Sequence, residues 1–155
     1  MPIDPIKIRP QYVVYGLLFT AILLHFIFKP KIYVTPPFNY LGLFFILDGG
    51  SLVWWSRRVF INSGTPVSET KPPAKLITEG IYTTIRHPMY VGSVIICAGI
   101  WVLIGSWPFF CVPPALFLIF DRIYIPREEK IMEERFGEEY VLYKKSTRRW
   151  LYRII

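Results

Sequence analysis

Apolar positions gather into four long runs, each closed by charge, proline or glycine. They extend from Gln11 to Phe28, from Phe38 to Ser56, from Tyr90 to Gly105 and from Trp107 to Ile125. Lys29-Pro30-Lys31 closes the first run and Arg57-Arg58 the second. About 20 helical residues cross a bilayer, with some tolerance either way. The runs therefore predict transmembrane helices over 11–28, 38–56, 90–105 and 107–125. Only Gly105-Ser106 parts the last two, which predicts a tight helical hairpin, and Pro113-Pro114 predicts a kink in the final helix. The first run begins near Tyr12 without a small-residue cleavage site, so no cleavable signal peptide is expected.

Two segments lie outside these runs. Residues 57–89 read as a loop, because 62–86 is rich in Gly, Pro, Ser and Thr. Residues 126–155 read as a helical tail. Ile131, Met132, Phe136, Tyr140 and Tyr143 recur three to five residues apart, with Glu and Lys between them. Gly137 predicts a break, with Glu138-Glu139 opening a second helix and Lys144-Lys145 closing it. Such a helix suits a membrane interface. The expectation is one all-α domain over 1–155: an integral membrane bundle of four transmembrane helices with a C-terminal amphipathic helical tail.

Composition supports a lipid environment. Of 155 residues, 53% are hydrophobic and 17% aromatic, and the mean hydropathy is +0.38. A soluble domain of this size needs more polar surface than that leaves. The net charge of +7, interleaved with apolar runs, points to anionic membrane lipids rather than nucleic acid. With four spans, every Lys and Arg except Lys29 and Lys31 falls on one side. The positive-inside rule then places both termini, the 57–89 loop and the tail in the cytoplasm. Cys97 and Cys111 sit inside apolar runs without metal-ligand spacing, so they read as small core residues and no metal is expected.

Candidate chemistry concentrates in two stretches. The first, Gly80 to Gly92, enters the third span. Pro88 suits a first helical turn, which leaves Arg86 and His87 beside unpaired backbone N–H groups. That mouth either receives an anion such as an amino-acid carboxylate or anchors the helix to lipid phosphates, with Tyr90 in the interfacial aromatic belt. Gly92 would let something flat approach the backbone. The second stretch, Arg127 to Tyr140, carries the acidic pairs Glu128-Glu129, Glu133-Glu134 and Glu138-Glu139. Taken alone it reads as a solvated helix face.

In this order the stretches resemble the isoprenylcysteine carboxyl methyltransferase and phospholipid methyltransferase family. The shared residues are Gly80, Tyr82, Arg86, His87, Pro88, Tyr90 and Gly92, then Glu128-Glu129, then Phe136 to Tyr140, with Tyr143 and Arg149-Trp150 also fitting. The resemblance covers about Phe60 to Leu151. It implies S-adenosylmethionine as methyl donor, held by Ala74, Lys75, Leu76, Ile77, Tyr82, His87, Pro88, Met89, Tyr90 and Glu128 beneath the tail. It also implies a lipophilic methyl acceptor. Aromatic rings suit an adenine or a sulfonium. A carboxylate acceptor needs no base; an amine acceptor must lose a proton, for which Glu129 and Asp48 are the candidate catalytic groups. Asp48 stands out because acids inside a span are costly.

One departure concerns the acceptor. The carboxyl methyltransferases carry a substrate-contacting Arg four residues before the first Glu of the pair, where this chain has Tyr124. That favours other lipids, a phospholipid amine among them. Competing readings are an NADPH-dependent sterol-reductase-like enzyme, a small four-helix transporter built on Asp48, and a non-catalytic scaffold.

Overall fold

The computed structural model describes residues 8–64 and 75–151, and among these all regular structure is helical. Helix α1 (Pro10–Phe28) opens on Pro10, whose missing N–H costs nothing in a first turn. It ends where Lys29, held before Pro30, turns into a left-handed conformation with φ 43°. A 3-10 turn (Phe38–Tyr40) leads into α2 (Leu41–Asn62). This helix runs six residues past the expected end at Ser56. Arg57 and Arg58 interrupt the apolar run, but charge does not break a helix: Val59, Phe60 and Ile61 continue it, and the Arg58 guanidinium lies 4.9 Å over the Trp54 ring.

Helix α3 (Pro88–Ile104) starts on Pro88 and ends on Gly105, which has φ 73°. A Cβ there would lie 2.5 Å from the Val34 carbonyl oxygen, so the hairpin turn needs glycine twice over. The Tyr33 N–H donates to the Gly105 carbonyl at 2.7 Å. Buried Ser106 lies 3.0 Å from His25 Nδ1, tying α1 to the same turn. His25 is therefore an interhelical contact.

The fourth apolar run is one continuous helical column with two irregularities. Helix α4 (Trp107–Phe110) gives way at Cys111 to α5 (Val112–Ile119). Pro113 and Pro114 have no N–H to return to the preceding turn, so the ladder opens there. Between α5 and α6 (Ile125–Phe136) lies a wide π turn, Phe120–Tyr124, in which the Ile125 N–H reaches back to the Phe120 carbonyl. Pro126 explains it. A regular helix would press the proline ring on the Arg122 carbonyl, and one wider turn relieves the clash. Gly137 then redirects the chain into α7 (Glu138–Ser146).

α2 and α3 lie antiparallel, with Gly42 against Gly99 and Gly49 against Gly92. A Cβ on Gly49 would come within 2.6 Å of the Gly92 carbonyl oxygen, and one on Gly99 within 2.7 Å of that of Gly42. Gly92 therefore admits the α2 backbone and not a flat ligand. On the other side of α3, the core is formed by Ala21, Val91, Cys97, Phe109, Val112, Leu116, Phe120 and Ile125. Outward faces carry Phe19, Phe26, Phe44, Leu47, Trp54 and Leu118, an apolar exterior suited to lipid. Two helices are long and apolar enough to cross a membrane, Pro10–Phe28 and the Trp107–Phe136 column, while Pro88–Ile104 is apolar but shorter.

Candidate functional site

The segment before α3 and the end of the tail are joined through their backbones. The Arg86 N–H donates to the Arg148 carbonyl at 2.8 Å, and the Arg148 N–H to the Thr84 carbonyl at 2.9 Å. This short parallel bridge holds the tail at the α3 entrance.

Side chains make the join specific. Arg86 Nε donates to Glu129 Oε1 at 3.1 Å, and its Nη1 donates to the Lys144 and Thr147 carbonyls at 2.9 and 2.6 Å. The guanidinium thus caps the carbonyl end of α7, where positive charge is favoured. Arg86 is consumed by these contacts, so it is not the open anion receptor that the helix mouth suggests. Glu129 is 2% exposed and takes three more cationic neighbours: Arg149 Nη2 at 2.8 Å, Lys144 Nζ at 3.4 Å and His87 Nε2 at 3.4 Å. Burial alone would raise its pKa, but His87, Arg149 and Arg86 hold the carboxyl well below the usual range.

Beside this clamp, Tyr90 donates its hydroxyl to Glu128 Oε1, and His87 Nδ1 lies 3.6 Å from Glu128 Oε2. The Glu128 side chain is 38% exposed, so its carboxylate is open on one side. Burial opposes charge on the His87 ring, but the two glutamates outweigh it and raise its pKa. Its Nε2 is buried and lacks a well-aligned hydrogen bond, because the Glu129 oxygen sits off the N–H direction. Tyr143 donates to the Tyr82 carbonyl at 2.7 Å, with its own hydroxyl pushed up to about 12 by burial. Leu76 packs with Tyr140 and Tyr143.

The titrations carry opposite signs. A raised His87 pKa stabilises the fold below its unfolded value and loses that contribution as pH rises through the folded value. The lowered Glu129 pKa stabilises above the carboxyl's unfolded value and fails as pH falls through the folded one. Tail docking is expected to be firmest between about pH 4.3 and about pH 6.5, the two unfolded values. Melting temperature in detergent should drop on going from pH 6.5 to 8.5, and by less in His87→Gln.

The structure thus brings His87, Tyr90, Glu128 and Glu129 into contact and sets Tyr82 and Leu76 on the adjoining tail face. Pro88 is buried at the start of α3, Met89 half-buried beside it, and Ile77 buried. Lys75 is exposed, with its ammonium 4.0 Å from Glu79. Ala74 lies outside the described residues. Asp48 is exposed on the outer face of α2, apart from the cluster. Sequence reasoning missed Arg86, Lys144 and Asp121 as structural partners. The one signal for Asp121 is an acid at the end of an apolar run.

The chain matches a known lineage. A family model described as phospholipid methyltransferase fits residues 37–139. The chain belongs to that family. Members similar to it include a protein-S-isoprenylcysteine O-methyltransferase of Schizosaccharomyces pombe, 29% identical over 129 residues, covering 83% of this chain and 52% of the relative. Protein-S-isoprenylcysteine O-methyltransferase B of Arabidopsis thaliana is 36% identical over 72 residues, covering 44% and 35%. The solved structure of the eukaryotic intramembrane Ras methyltransferase, isoprenylcysteine carboxyl methyltransferase, shares the fold with a TM-score of 0.62. It is 24% identical, with 92% of this chain and 52% of that one covered. The chain spans about half the length of the first of these relatives. Family membership places the α3 entrance, through Glu79 to Gly92, and the Glu128-Glu129 pair inside the matched region. The Arg148 to Trp150 closure falls beyond it.

Proposed function

We propose that this chain is an S-adenosylmethionine-dependent methyltransferase acting on a lipid-borne acceptor of the isoprenylcysteine type. It would cross the membrane four times with both termini cytoplasmic. The carrying observation is the meeting of the α3 mouth with the first acidic pair of the tail: His87 and Tyr90 on Glu128. The chemistry of that donor set fits the methionine end of the cofactor. No side chain caps α3 at its N-terminus. Pro88 has no N–H and the Tyr90 and Val91 N–H groups donate to the His87 carbonyl, so of the first turn only the Met89 N–H is left for a carboxylate. Glu128, half-open, suits an ammonium, and the His87 ring, held between the two glutamates, sets that carboxylate's position. When bound, S-adenosylmethionine supplies a methyl carbon already activated for in-line transfer.

The chain's own part is to orient and to exclude water. Glu129, ionised and saturated with cations, is a clamp that sets His87 and the tail; it is not a proton acceptor near neutrality. Asp48 stands apart on α2. With neither candidate base in place, a carboxylate acceptor, which needs none, is favoured. A second reading, a phospholipid amine, draws on Tyr124. That residue is buried and donates its hydroxyl to the Ile8 carbonyl at 3.0 Å, so no cation waits there for a substrate carboxylate. The site lies at the Arg57-Arg58 end of the helices, opposite Lys29 and the Gly105 hairpin, which supports the proposed orientation.

Calorimetry in detergent tests the cofactor assignment. His87→Ala and Glu128→Ala should each weaken S-adenosylmethionine binding by about 10- to 100-fold, the scale of one hydrogen bond to a charged group. Undiminished affinity in both variants defeats the assignment. Labelled methyl transfer to an S-prenylated cysteine, set against phosphatidylethanolamine vesicles, separates the two acceptors.

A further inference from the structure

The side chains assigned to the ligand are covered. Tyr82, Pro88 and Tyr90 are buried, and the His87 side chain is 10% exposed. A nucleoside-sized guest reaches them only if something moves. α7 and the strap that follows it, 147–151, are built for that movement. Gly137, at their start, has φ 57° and ψ −129°, a conformation that only glycine adopts readily. Nothing lies within 4 Å of where its Cβ would be, so the turn itself is not wedged by neighbouring atoms.

At the other end, beyond the Arg86–Arg148 backbone bridge and the Arg149–Glu129 pair, the strap is fastened to the membrane column by one carboxylate. Asp121 sits in the π turn, where Oδ1 accepts the Trp150 indole N–H at 2.9 Å and lies 3.4 Å from Arg149 Nη1. The Trp150 ring rests on Phe117 with centroids 4.6 Å apart. Arg149 uses its other nitrogen on Glu129, so Asp121, Arg149 and Glu129 form one chain of charge between the membrane column and the clamp. The regular i→i+4 ladder is broken at this turn, which rests on Pro126.

We propose that Asp121 is a positioning residue: it is the catch that fastens the C-terminal strap over the α3 mouth and sets how long a nucleoside ligand stays. Opening frees Trp150 from Asp121 and, with it, the Arg148 backbone bridge, the Arg86 contacts to the Lys144 and Thr147 carbonyls, the Lys144 and Arg149 pairs with Glu129 and the Tyr143–Tyr82 hydrogen bond. α7 then pivots about Gly137 and uncovers His87 and Tyr90, and closing reverses each step. The inference rests on the methyltransferase reading for its ligand, but the catch itself is a property of the unliganded chain.

Two measurements on the full chain in detergent test it: the release rate of labelled S-adenosylmethionine, and hydrogen exchange of the 138–150 amides without ligand. Asp121→Ala is expected to raise both by about tenfold, equivalent to ~1.4 kcal/mol. Asp121→Asn, which keeps an acceptor for the indole, should fall between it and the wild type. Trp150→Phe, which keeps a ring on Phe117 but loses the N–H, should also speed release. A purely structural role would lower melting temperature without making 138–150 exchange faster than α3. Release and exchange within about twofold of the wild type in Asp121→Ala overturn the proposal. If Asp121→Ala does not fold, Asp121→Asn and Trp150→Phe decide by the same criterion. If the wild type binds no S-adenosylmethionine, the methyltransferase reading fails, and exchange alone decides the catch.

Discussion

Glu129→Ala is expected to unfasten the tail and abolish cofactor binding, at a stability cost of about 3–5 kcal/mol. The size follows from what remains. Arg86 has an 8% exposed side chain and would keep its charge with only the Lys144 and Thr147 carbonyls as acceptors. Arg149 and Lys144 would lose their shared counter-ion, and the His87 ring one of the two carboxylates that stabilise its protonated form. A single deletion thus leaves the buried Arg86 without any carboxylate, while Lys144 keeps Glu133, Arg149 keeps Asp121 and His87 keeps Glu128. An uncompensated buried charge costs more than the pair ever contributed. Glu129→Gln keeps the shape and the acceptor but removes the charge, so an intermediate loss is expected. Glu133→Ala provides the contrast. Its carboxylate meets Lys144 at 2.7 Å but is 38% exposed, and exposed pairs contribute about 1 kcal/mol or less. Thermal unfolding in detergent, with limited proteolysis at Gly137, measures all three. A Glu129→Ala protein that melts within about 1 kcal/mol of the wild type would show that the clamp does not hold the tail.

The expected Glu129 effect also shows why the site was only partly legible. Local pattern placed α1 and α3 within two residues, because an apolar run ended by proline or glycine is local information. It misplaced the end of α2, because Arg57 and Arg58 change solvent preference without changing backbone geometry. It missed the π turn, whose cause, Pro126, looks like any first-turn proline. His87 and Glu128 lie about 40 residues apart, and their pairing depends on how α3 and the Trp107–Phe136 column pack. Family resemblance carried that pairing; periodicity did not. Asp121 is an ordinary residue until the strap folds back, the resemblance marks Arg149-Trp150 without giving them a partner, and no spacing rule joins a residue in a span to one near the end of the tail. Gly92 was ambiguous in a different way. Small residues admit ligands and neighbouring helices equally well; the matching seven-residue spacings, Gly42 with Gly49 and Gly92 with Gly99, are a signal for a helix that the reading of Gly92 as a ligand contact did not use.

That helix contact leads to the second large effect. Gly99→Ala would place a methyl group 2.7 Å from the Gly42 carbonyl oxygen, 2.8 Å from Ile46 Cγ1 and 2.9 Å from the Ile46 nitrogen. Two of those atoms are backbone, so α2 and α3 must separate rather than repack. The expected cost is about 3 kcal/mol, the upper end for overpacked cores, and more for Gly99→Leu. Gly92→Ala meets Val53 Cγ2 at 2.6 Å and the Gly49 carbonyl oxygen at 2.7 Å, with a similar cost. By contrast, Gly16→Ala and Gly50→Ala meet nothing within 4 Å and should gain up to about 1 kcal/mol from helix propensity. The two contact positions should nevertheless differ in function. Gly92 is two residues from Tyr90, so pushing α3 away there swings the Tyr90 hydroxyl off Glu128. Gly99 lies about 13 Å farther along the helix at 1.5 Å per residue from Tyr90, and a local separation there leaves the mouth in place. Gly92→Ala protein that remains folded should therefore bind S-adenosylmethionine worse than Gly99→Ala protein of equal melting temperature. Equal affinities would mean that packing against α2 supports the fold but does not set the position of Tyr90.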